Sequence, residues 1–242
     1  MAAGASSTAA PTPDDRPSVS TDVPYQPRTL TRGEATSRET FVFYSPKNDR
    51  IVTVCDYLHL SLALKLEFNP SLKAYVERPR KMMLAPKLTI DISFWTRDHR
   101  GHEQHLLAIP KAGTIGNARD GIALRDRTRL ETAAQRHDLQ ISYVLEQELL
   151  NETASLRRCF LLLPHVQSTR RVMDRIAICQ GIETYFKVTT WASFAELITA
   201  FPNFSPDHVV AVAAAMIHDG TLRLADTRPL SPHSALEVAD GS

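Results

Sequence analysis

The leucines at positions 58, 60, 62, 64 and 66 alternate with small or polar residues, the period of two that marks a half-buried strand. The residue types point the other way. No β-branched residue occurs between Leu58 and Phe68, and Leu, Ala, Lys and Glu are helix formers. The stretch therefore predicts a helix that Asn69-Pro70 ends. Before it, "ETFVFYSPKNDRIVTVCD" predicts two strands around a turn at 45–49. After it, "LKAYVE" (72–77) predicts a short strand, "MMLAPKLTIDISFWT" a single strand, "HRG" a turn, and "EQHLLAIPK" the neighbouring strand. Residues 112–121 hold three glycines and predict a loop, 119–136 a helix, and "LQISYVLEQEL" a strand. This mixed order predicts an α/β fold, a mixed sheet flanked by helices.

Beyond about residue 150 the period becomes helical. "SLRRCFLLLPH" and "STRRVMDRIAICQ" predict two helices separated by Pro164, and "WASFAELITAFP" a third. In "FSPDHVVAVAAAMIHDG", Ser205 is placed to cap a helix, Pro206 to occupy its first position and Gly220 to end it. "TLRLAD" predicts a short strand, so the C-terminal part reads as a helical, winged-helix-like domain. The first 38 residues, rich in Ala, Ser, Thr and Pro, predict a disordered tail. The expected organisation is a tail over 1–38, an α/β domain over 39–150 and the helical domain over 151–242.

The 242 residues, 43% of them hydrophobic, suffice for a substantial core and a smaller unit. A net charge of +1 excludes a global cationic field, so any nucleic-acid contact needs a local basic face. Cys55, Cys159 and Cys179 are odd in number and form no CxxC, which argues against a disulfide framework or a zinc site and for a reducing, cytoplasmic setting. No apolar run approaches the roughly 18 residues that cross a bilayer, so no membrane partner is expected.

Two residues carry the candidate chemistry. Asp91, flanked by Ile90 and Ile92, lies where a strand centre is predicted, and a lone carboxylate there needs a metal or a cationic side chain as partner. Lys111 ends the next apolar run. A strand acid holding Mg²⁺ beside a lysine that orients water or offsets phosphorane charge is a phosphodiesterase layout, and a plain salt bridge is the other reading of the same pair. His59 is either a partly buried helix histidine or a site residue. Arg78, Arg80 and Lys81 form a tight basic cluster. The helix predicted at 119–136 adds Arg119, Arg125, Arg127, Arg129 and Arg136, interleaved with acids, as phosphate contacts or as a solvated mixed face. Arg157–Arg158 and Arg170–Arg171 repeat the theme.

From about Phe41 to Leu149 the chain resembles the TnsA-type endonuclease subunits of heteromeric transposases. The resemblance rests on "LALKLEFNPSLKAYVERP", a leucine-rich helix followed by a strand, on "LTIDISFW", and on "LLAIPK". It implies a restriction-endonuclease-like PD-(D/E)xK core and a C-terminal winged-helix-like domain. It implies Asp91 as metal ligand, Lys111 as catalytic lysine, and Mg or Mn as cofactor. It also implies bacterial cytoplasmic work on double-stranded DNA at transposon ends, with a DDE-type transposase and an AAA+ regulator as partners. Arg78, Arg80, Lys81, Arg125 and Arg129 would contact DNA. The chain departs from the family pattern where a catalytic Glu is expected: His59 stands there, with Asp56 one turn away as a possible substitute ligand. Ile109 replaces the acid or amide two residues before the lysine. Two readings follow, an endonuclease with altered catalytic residues or a DNA-binding and assembly subunit that has lost cutting.

Overall fold

The computed structural model describes residues 23–117 and 121–239. Among them lie eight α-helices and several sheets, a mixed α/β architecture. Strands β1 (Thr40–Ser45) and β2 (Arg50–Cys55) form the expected hairpin, and α2 (Asp56–Glu67) follows the short helix α1 (Arg32–Ser37) as the leucine-rich helix. Composition thus decides over period in 56–67. Leu62, Leu64 and Leu66 are buried together with Ala63, which a helix allows and a one-faced strand does not.

The central sheet contains β3 (Leu72–Glu77), β6 (Phe94–Asp98), β7 (Glu103–Ile109) and β10 (Ile141–Leu145), in the order β10-β7-β6-β3. Strand β6 runs antiparallel to both its neighbours, and β10 is parallel to β7. The alternation of β7 builds two cores. Leu106 and Ala108 pack with α2, Val54, Tyr75 and Phe94. Leu107 and Ile109 pack on the opposite face with Leu130, Ala133 and Ala134 of α3 (Arg127–Arg136).

Several expectations change here. "MMLAPKLTIDISFWT" is three strands, not one. β4 (Lys81–Ala85) and β5 (Leu88–Asp91) form a separate two-stranded ribbon around Pro86 and Lys87, and β6 starts only at Phe94. Proline removes a ladder donor and turns the chain, so Asp91 ends a ribbon instead of occupying a sheet centre. The glycine-rich loop is a hairpin, β8 (Thr114–Asn117) with β9 (Gly121–Leu124). Gly116 has φ +89°, and a Cβ on it would meet the Gly121 carbonyl oxygen at 2.2 Å. Helix α3 therefore begins at Arg127, and Arg119 and Asp120 lie outside the described residues. Helix α4 (Glu146–Asn151) follows β10 directly.

The C-terminal half contains α5 (Thr153–Ser168), α6 (Arg175–Phe186), α7 (Phe194–Ala200) and α8 (Pro206–His218). Its three-stranded antiparallel sheet joins β11 (Trp191–Ser193), β13 (Ala235–Val238) and β12 (Leu222–Leu224), in that order. Helix α5 runs through Pro164, where a break was expected. Leu156 and Leu163 enter the α/β core while Leu162 and Val166 enter the helical core, and this two-sided packing offsets the lost backbone hydrogen bond. Ser205 takes the N-cap position of α8 without a side-chain capping bond, and Pro206 begins the helix as expected. No helix among the described residues is long and apolar enough to cross a membrane.

A buried carboxylate ties the two halves together. Glu67 is fully buried at the end of α2. It accepts hydrogen bonds from His218 Nε2 (2.8 Å), Ser45 Oγ (2.5 Å), Tyr75 Oη (2.7 Å) and the Lys47 amide (3.0 Å). Beside it, Gly220 closes α8 with φ +82°, and a Cβ there would lie 2.4 Å from Pro70 Cβ. Gly220→Ala should therefore cost about 2–4 kcal/mol, from the left-handed backbone and the overpacking together. Urea unfolding checks this, and a loss below about 1 kcal/mol would show that the junction yields easily.

Candidate functional site

Asp91 faces a cleft of about 440 Å³ where β3 and β7 end and β6 begins. Its walls include His59, Glu77, Arg78, Lys81, Ser93 and the backbone run Leu107–Pro110. One further wall is chain that the sequence assigned to a disordered tail. Residues 23–38 are laid over the core, and Arg28, Leu30, Glu34 and Arg38 line the cleft. Tyr25 anchors this strap against Trp95 and His105, with ring centroids 5.7 and 5.6 Å away. The Arg28 amide donates to the Arg78 carbonyl (3.1 Å), and Arg78 Nε returns a bond to the Arg28 carbonyl (3.1 Å). Residues 1–22 lie outside the described residues.

Arg28 holds Asp91 with both of its oxygens. Nε donates to Oδ1 at 2.8 Å and Nη2 to Oδ2 at 2.5 Å. The same guanidinium binds Glu34 at 3.1 and 2.8 Å, and Glu34 closes a capping box with Thr31 that fixes α1. The hydrogen bonds from Arg28, with those from Thr31, hold the Glu34 carboxyl far below the usual carboxylate range, and its two acid partners raise Arg28. The planar fork of arginine suits this paired geometry in a way that lysine does not.

Lys111 lies elsewhere. It follows β7 in a short 3₁₀ turn, its amide donates to Glu146 at 2.6 Å, and its walls belong to a separate cleft of about 200 Å³ with Thr114, Ile122 and Leu145. The residues of "AIPK" that reach the Asp91 cleft are Ala108, Ile109 and Pro110. The expected acid–lysine pair is thus not assembled in one cleft.

His59 and Asp56 do meet. Asp56 Oδ1 accepts from the His59 amide (3.0 Å) and lies 2.8 Å from His59 Nδ1, and His59 Nε2 lies 3.1 Å from Ser93 Oγ. Ser93 Oγ also accepts the Ala108 amide at 2.9 Å, so this one hydroxyl links strand β7 to the His59 ring. Ser93 is 1% exposed, and this relay restores a partner to an amide that the gap between β5 and β6 would leave unpaired. Burial pushes the Asp56 carboxyl up, but the His59 bonds and charge outweigh it and keep it below its ordinary value.

These groups do not fit a divalent metal. Both Asp91 oxygens face a guanidinium, Asp56 is committed to His59, and the side chain of Ile109 has no oxygen to offer. Among the described residues no group of three or more His, Cys, Asp or Glu side chains is arranged to hold a metal ion.

The expected DNA contacts divide. Arg78 turns inward, with φ +46° and Nη1 donating to the Thr53 carbonyl at 2.6 Å, so it braces the fold. Lys81, Arg125 and Arg129 are exposed, and Arg80 is half-buried. Arg28 was missed because it sits in a segment without apolar period. The one signal available was the Thr31-x-x-Glu34 capping box. No family model matches the chain, and no curated protein matches it.

Proposed function

We propose that the chain is a TnsA-like DNA-associated assembly subunit whose nuclease-like core has lost cutting. The single observation that carries this reading is the pairing of Asp91 with Arg28 while Lys111 lines another cleft. The guanidinium stands where a metal-dependent hydrolase needs a cation it can exchange, and it is covalently part of the chain. The four-stranded mixed sheet with α2 and α3 on opposite faces supports a restriction-endonuclease-like core. Helices α6–α8 with the sheet β11-β13-β12 support a winged-helix-like C-terminal unit. Exposed Arg125 and Arg129 at the start of α3 supply a local basic face on a chain of nearly zero net charge.

The test pairs a calorimetric titration of Mn²⁺ with a plasmid-nicking and gel-shift assay on the full chain. Wild type should bind duplex DNA, more weakly in Arg125→Ala/Arg129→Ala, with a salt slope reduced by about 2 in the double variant. It should take up no Mn²⁺ and nick nothing. Mn²⁺ uptake or nicking that vanishes in Asp91→Ala would overturn the reading in favour of an active endonuclease.

A further inference from the structure

A cavity of about 910 Å³ lies away from the Asp91 cleft, between the α/β core and the C-terminal half. Its walls come from the end of α2, the β6–β7 turn, helix α5 and the α8–β12 connection. Arg158 reaches it from α5. Its Nε is buried and is the one buried side-chain nitrogen or oxygen among the described residues without a hydrogen-bond partner. Its Nη1 donates to the backbone carbonyl of Asp226, an uncharged acceptor. No carboxylate forms an ion pair with Arg158 among the described residues. Nε is shielded from solvent and out of a ligand's reach, but Nη2 is neither shielded nor bonded, so the guanidinium keeps one charged edge open to an anionic acceptor.

The rest of the cavity agrees. Arg100, exposed on the β6–β7 turn, adds a second cation. The two acids at the rim are already committed. Asp98 accepts from the Arg100 and His102 amides, each at 2.8 Å, and pairs with His102 Nδ1 at 3.0 Å. Asp219 accepts from the Thr221 amide and hydroxyl at 3.0 and 2.7 Å. The lining also includes the apolar Phe68, Leu162, Ile217 and Leu222, beside the polar Ser71, His99 and Ser155. An inorganic anion would leave that surface and most of the volume unfilled. An anion carrying a flat apolar body fills both, at a size within the 300–1,000 Å³ typical of ligand sites.

We propose that this cavity is a nucleotide-binding site in which Arg158 and Arg100 receive the phosphate and the Phe68 side receives the base. The phosphate comes either from a free nucleotide or from the terminal nucleotide of a DNA strand. The site stands independently of whether the Asp91 cleft cuts.

The test titrates a fluorescent ATP analogue into the full chain and competes it with ATP, adenosine and a 5′-phosphorylated oligonucleotide. Saturable binding should appear, ATP or the oligonucleotide should displace it, and adenosine should not. Displacement by ATP alone assigns the site to free nucleotides, and displacement by the oligonucleotide alone assigns it to strand ends. Arg158→Met and Arg100→Ala should each weaken binding tenfold or more. Arg100 lies on an exposed turn, so that variant reports on binding even where Arg158→Met perturbs the fold, with circular dichroism as control. Absence of binding by both phosphate sources at about 1 mM would overturn the proposal, as would affinity unchanged in Arg100→Ala.

Discussion

Glu67→Ala is expected to destabilise the protein by about 3–5 kcal/mol, the range for removing one partner from a buried charged network. The substitution strands the His218 ring, the Ser45 and Tyr75 hydroxyls and the Lys47 amide at once. In a chain of this length such a loss lowers the melting temperature by roughly 6–20 °C. The network also has a pH signature. Burial pushes the Glu67 carboxyl up, and the bonds from His218, Ser45, Tyr75 and Lys47 outweigh it, leaving the group below its ordinary value of 4.5. A carboxyl depressed in the folded state contributes stability that is present above its unfolded value and is lost as pH falls through the folded one. Urea midpoints of the wild type should therefore drop below about pH 4.5, and those of Glu67→Ala should drop less over the same window. A variant as stable as wild type at neutral pH would mean that apolar packing and the remaining cross-contacts, such as Gln167 to the Tyr44 carbonyl and Arg170 to Asp49, hold the two halves.

Arg28→Ala is expected to release the strap. It removes four charged hydrogen bonds to Asp91 and Glu34 and leaves Asp91 unpaired at the cleft wall. Arg28 and Asp91 keep 21% and 26% of their side-chain surface in solvent, so water recovers part of the loss. A local cost of about 2 kcal/mol raises the open population some thirtyfold. Tryptic cleavage after Arg32 or Arg38 should accelerate by a similar factor while the global unfolding midpoint moves little. Asp91→Asn should produce the same release in milder form, because Glu34 still holds the guanidinium. Cleavage at the wild-type rate in Arg28→Ala would show that Tyr25 and the backbone bonds to Arg78 suffice to hold the strap.

Local pattern told much about the elements and little about the site. The hairpin of β1 and β2, helix α2, strand β3 and helix α8 were legible because each is decided by neighbours one to four positions away and by proline or glycine at its ends. The single long strand expected at 82–96 failed on the same scale. Its apolar residues are continuous, but Pro86 turns the chain back, and Asp91 moves from a sheet centre to a ribbon end.

The sequence by itself determined the α/β character of the first half and the helical texture of the second, and it put His at position 59 and Ile at 109, since residue type and short-range period suffice for these. It also limited Asp91 to a metal or a cationic partner, because a lone carboxylate at low exposure needs one. Only the tertiary structure decided that the partner is Arg28, 63 residues away, that the Lys111 backbone amide donates to Glu146, and that His218 reaches Glu67 across 151 residues. Pairings of this kind depend on how separate elements pack, and no periodicity along the chain encodes which charge will face which.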